Sequence, residues 1–436
     1  MLTLTQTQQD ALSFCENKNK AILALEPGCG KTITSLAIAK MKGFKKIYLI
    51  TPPKLTSFED DNAKHFDNYF EITKISHGAF KSNEKKTNKN KKNYNINLYL
   101  NADQLNDDYF IIIDEAHKFK NIQSTRTLAL YALLHKNNNL PMLMLTGTLR
   151  PNMNCDASTL GCMMDFWFDK NKPRYSNDFD SFAQRIKEIT SVSYYYSPSI
   201  QDGMFFKREN RYTDELYDSL KNIAFFAKKT NNAKKIINAK MFHYTSMQRS
   251  LLEQMNGRAS LLIGSFKTKV NHQTKSRVRD GHLLLSHIYE NTKREMTFLT
   301  DKIRFLKTIK NKSIIFTQFT HTAEFLASTL KAKCHTGAIS SKESKNIVAS
   351  FKTQKDGLLI ATIDSLSTGF DIETCDQIIF YSFSYNYANF IQSFDRIHRI
   401  TSVNNKNYLF LIYDDERKKL DTALSKMDLH FKWLGA

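Results

Sequence analysis

The sequence has no run of eighteen uninterrupted apolar residues, so it offers no candidate membrane span. Its opening residues, MLTLTQTQQD, have neither the basic stretch nor the apolar core of a secretory leader. Both absences lead us to expect a cytoplasmic protein that has no membrane partner. Cysteine is scarce. Cys15, Cys29, Cys155, Cys162, Cys334 and Cys375 are scattered, with no CxxC pair and no nearby histidine cluster, which argues for reduced, structural thiols and against zinc. Acidic residues are in deficit: 43 Asp and Glu face 63 Lys and Arg, a formal net charge of +20. The excess points to a polyanionic partner, because clustered cations gain affinity by releasing counterions from a phosphate backbone. A Lys/Asn-rich composition inherited from an AT-rich genome would explain part of it. No period of 20–50 residues repeats, so a solenoid is not expected.

What is present begins with length. A chain of 436 residues, 41% hydrophobic and 12% aromatic, exceeds what one compact core usually covers, and two domains are expected. Short apolar runs alternate with helix-length segments at Ile22–Leu25, Lys46–Thr51, Asn97–Leu100, Phe110–Asp114 and Met142–Thr146. The alternation resumes at Ser313–Thr317, Lys333–His335, Leu358–Thr362, Gln377–Tyr381 and Asn407–Ile412. That rhythm predicts parallel sheets in two α/β domains. Between them, from about Met153 to Leu252, the pattern turns helical and aromatic. Lys81–Asn97, with six Lys against one Glu, is too polar to bury itself and should form an exposed loop. Ser265–Asp280, with five Lys/Arg and one acid, reads as a linker or surface arm.

The chemistry is concentrated in two short stretches. In ALEPGCGKT, Ala24–Thr32, an apolar strand leads through glycines into a helical pattern. Gly28 and Gly30 permit the tight turn that aims the amides of a loop containing Cys29 at a phosphate. Lys31 would reach the β- and γ-phosphates of ATP, and Thr32 would bind Mg²⁺ at the helix N-terminus. Leu25 stands where such loops usually open with Gly or Ala. In YFIIIDEAHKFKN, Tyr109–Asn121, a strand ends in adjacent carboxylates, both of which can face a nucleotide where the chain turns. Asp114 would hold Mg²⁺, and Glu115 would orient and deprotonate the attacking water. Together these predict a nucleoside triphosphatase. Gln392, Arg396 and Arg399 recur at spacings that place them on one helix face, where an arginine finger would meet the γ-phosphate.

These residues carry a resemblance. In order along the chain, the motifs resemble those of superfamily 2 helicases and translocases, most closely the Swi/Snf-type DNA-dependent ATPases. LTQTQQDAL resembles the opening glutamine motif, with Gln8 in the adenine-recognising place. TPPKL, Thr51–Leu55, resembles the motif that grips a nucleic-acid backbone, and LYLNADQL, Leu98–Leu105, the strand before the acid box. DEAHKFKN is similar to a DEAH box followed by Lys-Asn. LMLTGTLRPN resembles the coupling motif, with Thr146, Gly147, Thr148 and Asn152 in matching places. SIIFTQFTHTAEFL, CHTG and ATIDSLSTGFDI resemble the fourth motif, the His-Gly turn and the fifth motif, and QSFDRIHRI the sixth.

The resemblance implies two RecA-like domains, each a mostly parallel sheet flanked by helices, with a helical insertion between them. Expected bounds are 1–152 for the ATP-binding domain, 153–264 for the insertion, 265–295 for a basic linker and 296–436 for the second domain. It implies ATP and Mg²⁺ on the phosphate loop, with Arg399 and Arg396 closing on the γ-phosphate. His117 and Gln392 would relay the nucleotide state, and Thr51, Lys54, Thr362 and the amides near Gly369 would touch nucleic acid. Phe58 replaces the usual Trp, Leu25 the usual acid, and Thr401-Ser402 the usual Gly-Gln. No histone-reading appendage is recognisable, so the chain reads as a stripped-down motor, suited to a phage, virus or mobile element and thus to a host cytoplasm, with the nucleus left open. The favoured expectation is a translocase on duplex or branched DNA. An RNA helicase, or an ATP-switched binding protein without processive motion, are the alternatives.

Overall fold

In a computed structural model of the chain, the described residues are 3–52, 56–80, 105, 107–121, 124–137, 139–150, 154–164, 192–196, 204–208, 213–229, 233–247, 249–250, 299–366, 372–383, 387–398, 402 and 404–435. They form two compact units. The first comprises Met1–Asn231 with Asn386–Asp395 and Leu424–Ala436; the second comprises Asn232–Tyr385 with Arg396–Ala423. Both are built on a six-stranded parallel sheet flanked by helices, the architecture of a RecA-like domain.

The strands of the first unit are β1 (Lys20–Leu25), β2 (Lys46–Thr51), β3 (Glu71–Ser76), β4 (Tyr109–Ile113) and β5 (Met142–Thr146), followed, after the antiparallel pair β6 (Val192–Tyr196) and β7 (Met204–Arg208), by β8 (Ala224–Ala227). The sheet runs β3-β2-β4-β5-β1-β8. Successive strand residues face opposite sides, and here both sides are covered. Ile22, Ile50, Ile111, Ile113 and Met144 join one buried cluster, while Leu23, Leu49, Ile112 and Leu145 join the other. This two-sided burial is why the central strands read as unbroken apolar runs.

The second unit contains β9 (Lys235–Phe242), β10 (Ser313–Thr317), β11 (Lys333–His335), β12 (Leu358–Thr362), β13 (Gln377–Phe380) and β14 (Lys406–Tyr413), in the order β11-β12-β10-β13-β14-β9. Parallel register aligns Phe316 with Phe380 and Phe380 with Phe410, and their rings stack at 5.8 and 4.5 Å across three neighbouring strands. Ile315, Ile360, Ile379 and Leu411 pack on the other side. His335, in the CHTG turn, is buried and ties β11 to two helices: its ring nitrogens lie 3.1 Å from Ser365 Oγ and 2.7 Å from Ser344 Oγ.

Five strands depart from the sequence reading, β3 and β6 to β9. β3, β8 and β9 escape it because they are edge strands, short or with polar residues on the open side, and so lack a long apolar run. Within 153–264, expected to be helical, the described residues include helices Asn154–Met163 and Thr213–Leu220 together with strands β6 to β9, of which β8 and β9 each complete a sheet. Asn97–Leu100, Lys81–Asn97 and Ser265–Asp280 lie outside the described residues.

Edge strand β3 depends on a buried side chain. Asn62, on helix Ser57–Phe66, donates to the Phe70 carbonyl at 2.9 Å and accepts from the Phe70 amide at 3.2 Å. Asn62→Ala strands both backbone groups, and denaturant unfolding should show the first unit destabilised by about 2–4 kcal/mol. A loss under about 0.5 kcal/mol would mean that water replaces the amide.

Candidate active site

Parallel strands end on one edge of their sheet, so loops leaving neighbouring strands converge there. In the first unit that edge carries the Gly-rich loop after β1, the acidic pair after β4 and the Thr-Gly-Thr turn after β5.

The loop turns through two glycines with positive φ, Gly28 at 92° and Gly30 at 75°, and helix Lys31–Met41 follows at once. A side chain at Gly30 would collide with Gln8 Nε2, so this glycine also admits the glutamine amide to the loop. Gln8 is itself fixed: its Oε1 accepts from the Thr5 amide at 2.8 Å in a capping box that starts helix Gln6–Cys15. Lys31 Nζ donates to the Leu25 carbonyl at 3.0 Å, reaching back across the loop. Gly147 lies flat against the loop as well, since a Cβ there would come within 2.8 Å of the Pro27 ring. A first-turn threonine, Thr32, and exposed helical N–H groups beside a lysine form the donor set that cradles phosphate.

The acidic pair owes its placement to a bend. Asp114 continues strand pairing through its amide to the Ile50 carbonyl at 2.8 Å, and Glu115 then takes a left-handed conformation at φ 47°. That conformation is costly for a residue with a side chain, and it turns the chain into the short helix Ala116–Phe119. Thr51 Oγ1 lies 3.5 Å from Asp114 Oδ2, and His77 Nε2 lies 2.9 Å from the Asp114 carbonyl. Burial pushes the Asp114 carboxyl up, and the charge of Glu115 adds to that rise. Burial opposes ionisation of Glu115 too, but the His117 hydrogen bond and nearby cations, Lys31 among them, outweigh it and hold this carboxyl low. Glu115 is therefore the more acidic of the pair. Burial lowers the His117 pKa, and because an ionised carboxylate can only accept, the 3.2 Å contact between His117 Nδ1 and Glu115 Oε2 has Nδ1–H as donor.

From Glu115 the polar contacts run two ways. His117 Nδ1 is 3.4 Å from Thr146 Oγ1, which accepts from the Thr148 amide at 3.0 Å. Gln392 Nε2 donates to Glu115 Oε2 at 3.2 Å, from helix Tyr387–Phe394, a short segment of the first unit some 270 residues further along the chain. Gln8, Lys31, Asp114, Glu115, His117, Thr146, Thr148 and Gln392 thus all belong to the first unit, around one edge of its sheet. Thr51, expected at nucleic acid, is fully buried and directs its hydroxyl at Asp114. Arg396 and Thr362 belong to the second unit; Arg396 is buried, and its carbonyl accepts from the Ile372 amide at 2.9 Å. Lys54, Asn152, Gly369 and Arg399 lie outside the described residues.

Sequence reasoning passed over Glu26 and Lys229. Lys229 Nζ contacts Asp395 Oδ1 at 2.6 Å and Glu26 Oε1 at 3.6 Å, with all three side chains buried. Lys229 sits in the run NIAFFAKK, where nothing local marks it out.

Comparison with known proteins comes in two parts. The family profile described as the type III restriction enzyme res subunit matches residues 1–151, and the one described as the helicase conserved C-terminal domain matches residues 295–401. Among solved structures, the Sulfolobus solfataricus SWI2/SNF2 ATPase core in complex with dsDNA is similar over 98% of this chain and 91% of its own, with 18% identity and a TM-score of 0.39. No curated protein sequence matches.

Burial raises the Cys29 thiol, inside the loop, to about 11, and does the same to Cys15 and Cys375. In the native chain near neutral pH these three should react with a maleimide far more slowly than the half-buried Cys334. Fast labelling of Cys29 would mean that the loop opens without nucleotide.

Proposed function

We propose that this chain, which belongs to the superfamily 2 helicases, is a Swi/Snf-like, DNA-stimulated ATPase that moves along duplex or branched DNA. The observation that carries the reading is the meeting of Lys31, Asp114, Glu115, His117 and Gln392 at one sheet edge. That set suits hydrolysis of a terminal phosphate. Backbone amides and Lys31 would hold the β- and γ-phosphates. Thr32 and Asp114 offer the hard oxygen donors that Mg²⁺ takes, and the ion, when bound, would neutralise charge on the transferred phosphoryl group. Glu115, the partner that keeps the negative charge, would accept the proton of the attacking water. The hydrogen bonds it accepts from His117 and Gln392 would aim the carboxylate, and His117 with Lys31 holds it ionised. Gln8 would meet the adenine edge, and Arg396 and Arg399 would supply cations to the γ-phosphate.

Support for DNA as the partner is chemical and by resemblance. The +20 charge suits a phosphate backbone, and Lys120-Asn121 after the acid box follows the DNA-dependent branch. Among the described residues, no helix is long and apolar enough to cross a membrane. Contacts confined to phosphates would position the strand without reading its sequence. Alternating nucleotide-bound and nucleotide-free states would step the motor along it.

ATP turnover measured with single-stranded, duplex and forked DNA and with RNA tests this reading. Duplex or forked DNA should stimulate turnover most, whatever its sequence, with binding that weakens steeply as salt rises. Stimulation by RNA alone would make the chain an RNA-dependent ATPase, and no stimulation by either would make it an ATP switch. Arg399→Ala should lower kcat by about 10³. A loss under tenfold would transfer the finger's role to Arg396.

A further inference from the structure

The helix that carries Gln392 has an unusual problem of placement. Asn386–Asp395 belongs to the first unit, although the chain on both sides of it belongs to the second. Its helix, Tyr387–Phe394, is only eight residues long, well below the length that holds an isolated helix in water. Phe390, Ile391 and Phe394 on it are buried. Apolar packing is non-directional, however, and sets rotation about the helix axis less sharply than a directional polar contact does. A turn of one residue, about 100°, would carry Gln392 away from Glu115.

We propose that Lys229 is a positioning residue for ATP hydrolysis, anchoring Asp395 to Glu26 and so fixing the rotation that sets Gln392 against Glu115. Asp395 follows the helix directly and receives the ammonium at 2.6 Å, its side chain fully buried. The same ammonium lies 3.6 Å from Glu26 Oε1, and the Lys229 amide donates to Glu26 Oε2 at 2.8 Å. Glu26 is no remote anchor: it is the first residue after β1, within the phosphate loop, and its carbonyl accepts from the Cys29 amide at 3.2 Å. One cation therefore references the Gln392 helix to the loop that would hold the phosphates. Buried ion pairs add little net stability against apolar replacements, and orientation is what they supply best. The placement along the chain agrees. Lys229 lies two residues before the chain first leaves this unit, and Asp395 is the last residue before it leaves again.

The inference rests on the reading of Gln392 and Glu115 as parts of a hydrolytic site. Asp395→Asn tests it, because Glu26 still compensates Lys229 in that variant. With DNA saturating, kcat for ATP should fall at least tenfold, while affinity for a non-hydrolysable ATP analogue stays within about threefold. Combined with Gln392→Ala, which should itself lower kcat, Asp395→Asn should add no further loss, since it acts through that glutamine. Should Asp395→Asn fail to fold, the charge-free variant Glu26→Gln/Lys229→Met/Asp395→Asn carries the same test. A folded variant with lowered thermal stability but wild-type kcat overturns the proposal, and so does a loss that multiplies with Gln392→Ala. Lys31→Ala separates the two readings: if it turns over ATP normally, the site itself is misassigned, whereas an inactive Lys31→Ala beside an active Asp395→Asn removes only the anchor.

Discussion

A carboxylate that must stay charged while largely withdrawn from water is the constraint around which the first unit is arranged. Burial opposes ionisation of Glu115, so its charge depends on the hydrogen bond from His117 and on the field of Lys31, while Gln392 donates to the same carboxylate oxygen. Each donor comes from a different part of the chain. His117 is delivered by the left-handed bend at Glu115 itself, Lys31 by the helix after the loop, and Gln392 by a helix from late in the sequence. The parallel sheet is what permits this, because it gathers the ends of β1, β4 and β5 on one edge. Two-sided burial of those strands in turn makes the edge rigid enough to hold a strained residue.

Much of this was legible in the sequence, for identifiable reasons. Central strands buried on both faces must be apolar throughout, so β1, β2, β4, β5 and β10 announce themselves. The phosphate loop is legible because glycines at fixed spacing beside Lys31-Thr32 have few other uses. Edge strands β3, β8 and β9 are not legible in the same way. β9 has no buried residue and pairs with β14 through backbone bonds, which any side chain can accompany. The site was legible as a set of motifs but not as a set of contacts. Thr51 matched a nucleic-acid-binding motif, yet its burial beside Asp114 follows from the strand's two-sided packing. Lys229 carried no signal at all, since its partners Glu26 and Asp395 are separated from it by some two hundred residues in one direction and more than a hundred and sixty in the other.

Leu25 also takes on a physical meaning. It departs from the usual opening of a phosphate loop, but it closes β1 as a fully buried residue of the core, and its carbonyl receives Lys31. The loop's function is carried by backbone amides, the glycines and Lys31-Thr32, none of which needs a particular side chain at that position. An apolar residue there extends the strand and leaves Glu26 as the first polar group of the loop.

The central claim is that Glu115 acts on water and not on nucleotide binding. The most direct measurement compares the dissociation constant for MgATP with the turnover rate in Glu115→Gln and in the unaltered chain. The account predicts affinity unchanged within about threefold and turnover lower by about 10³ or more, because the amide keeps the hydrogen bonds but cannot take the proton. Turnover within tenfold of the unaltered chain, or a loss explained wholly by weaker MgATP binding, would contradict it.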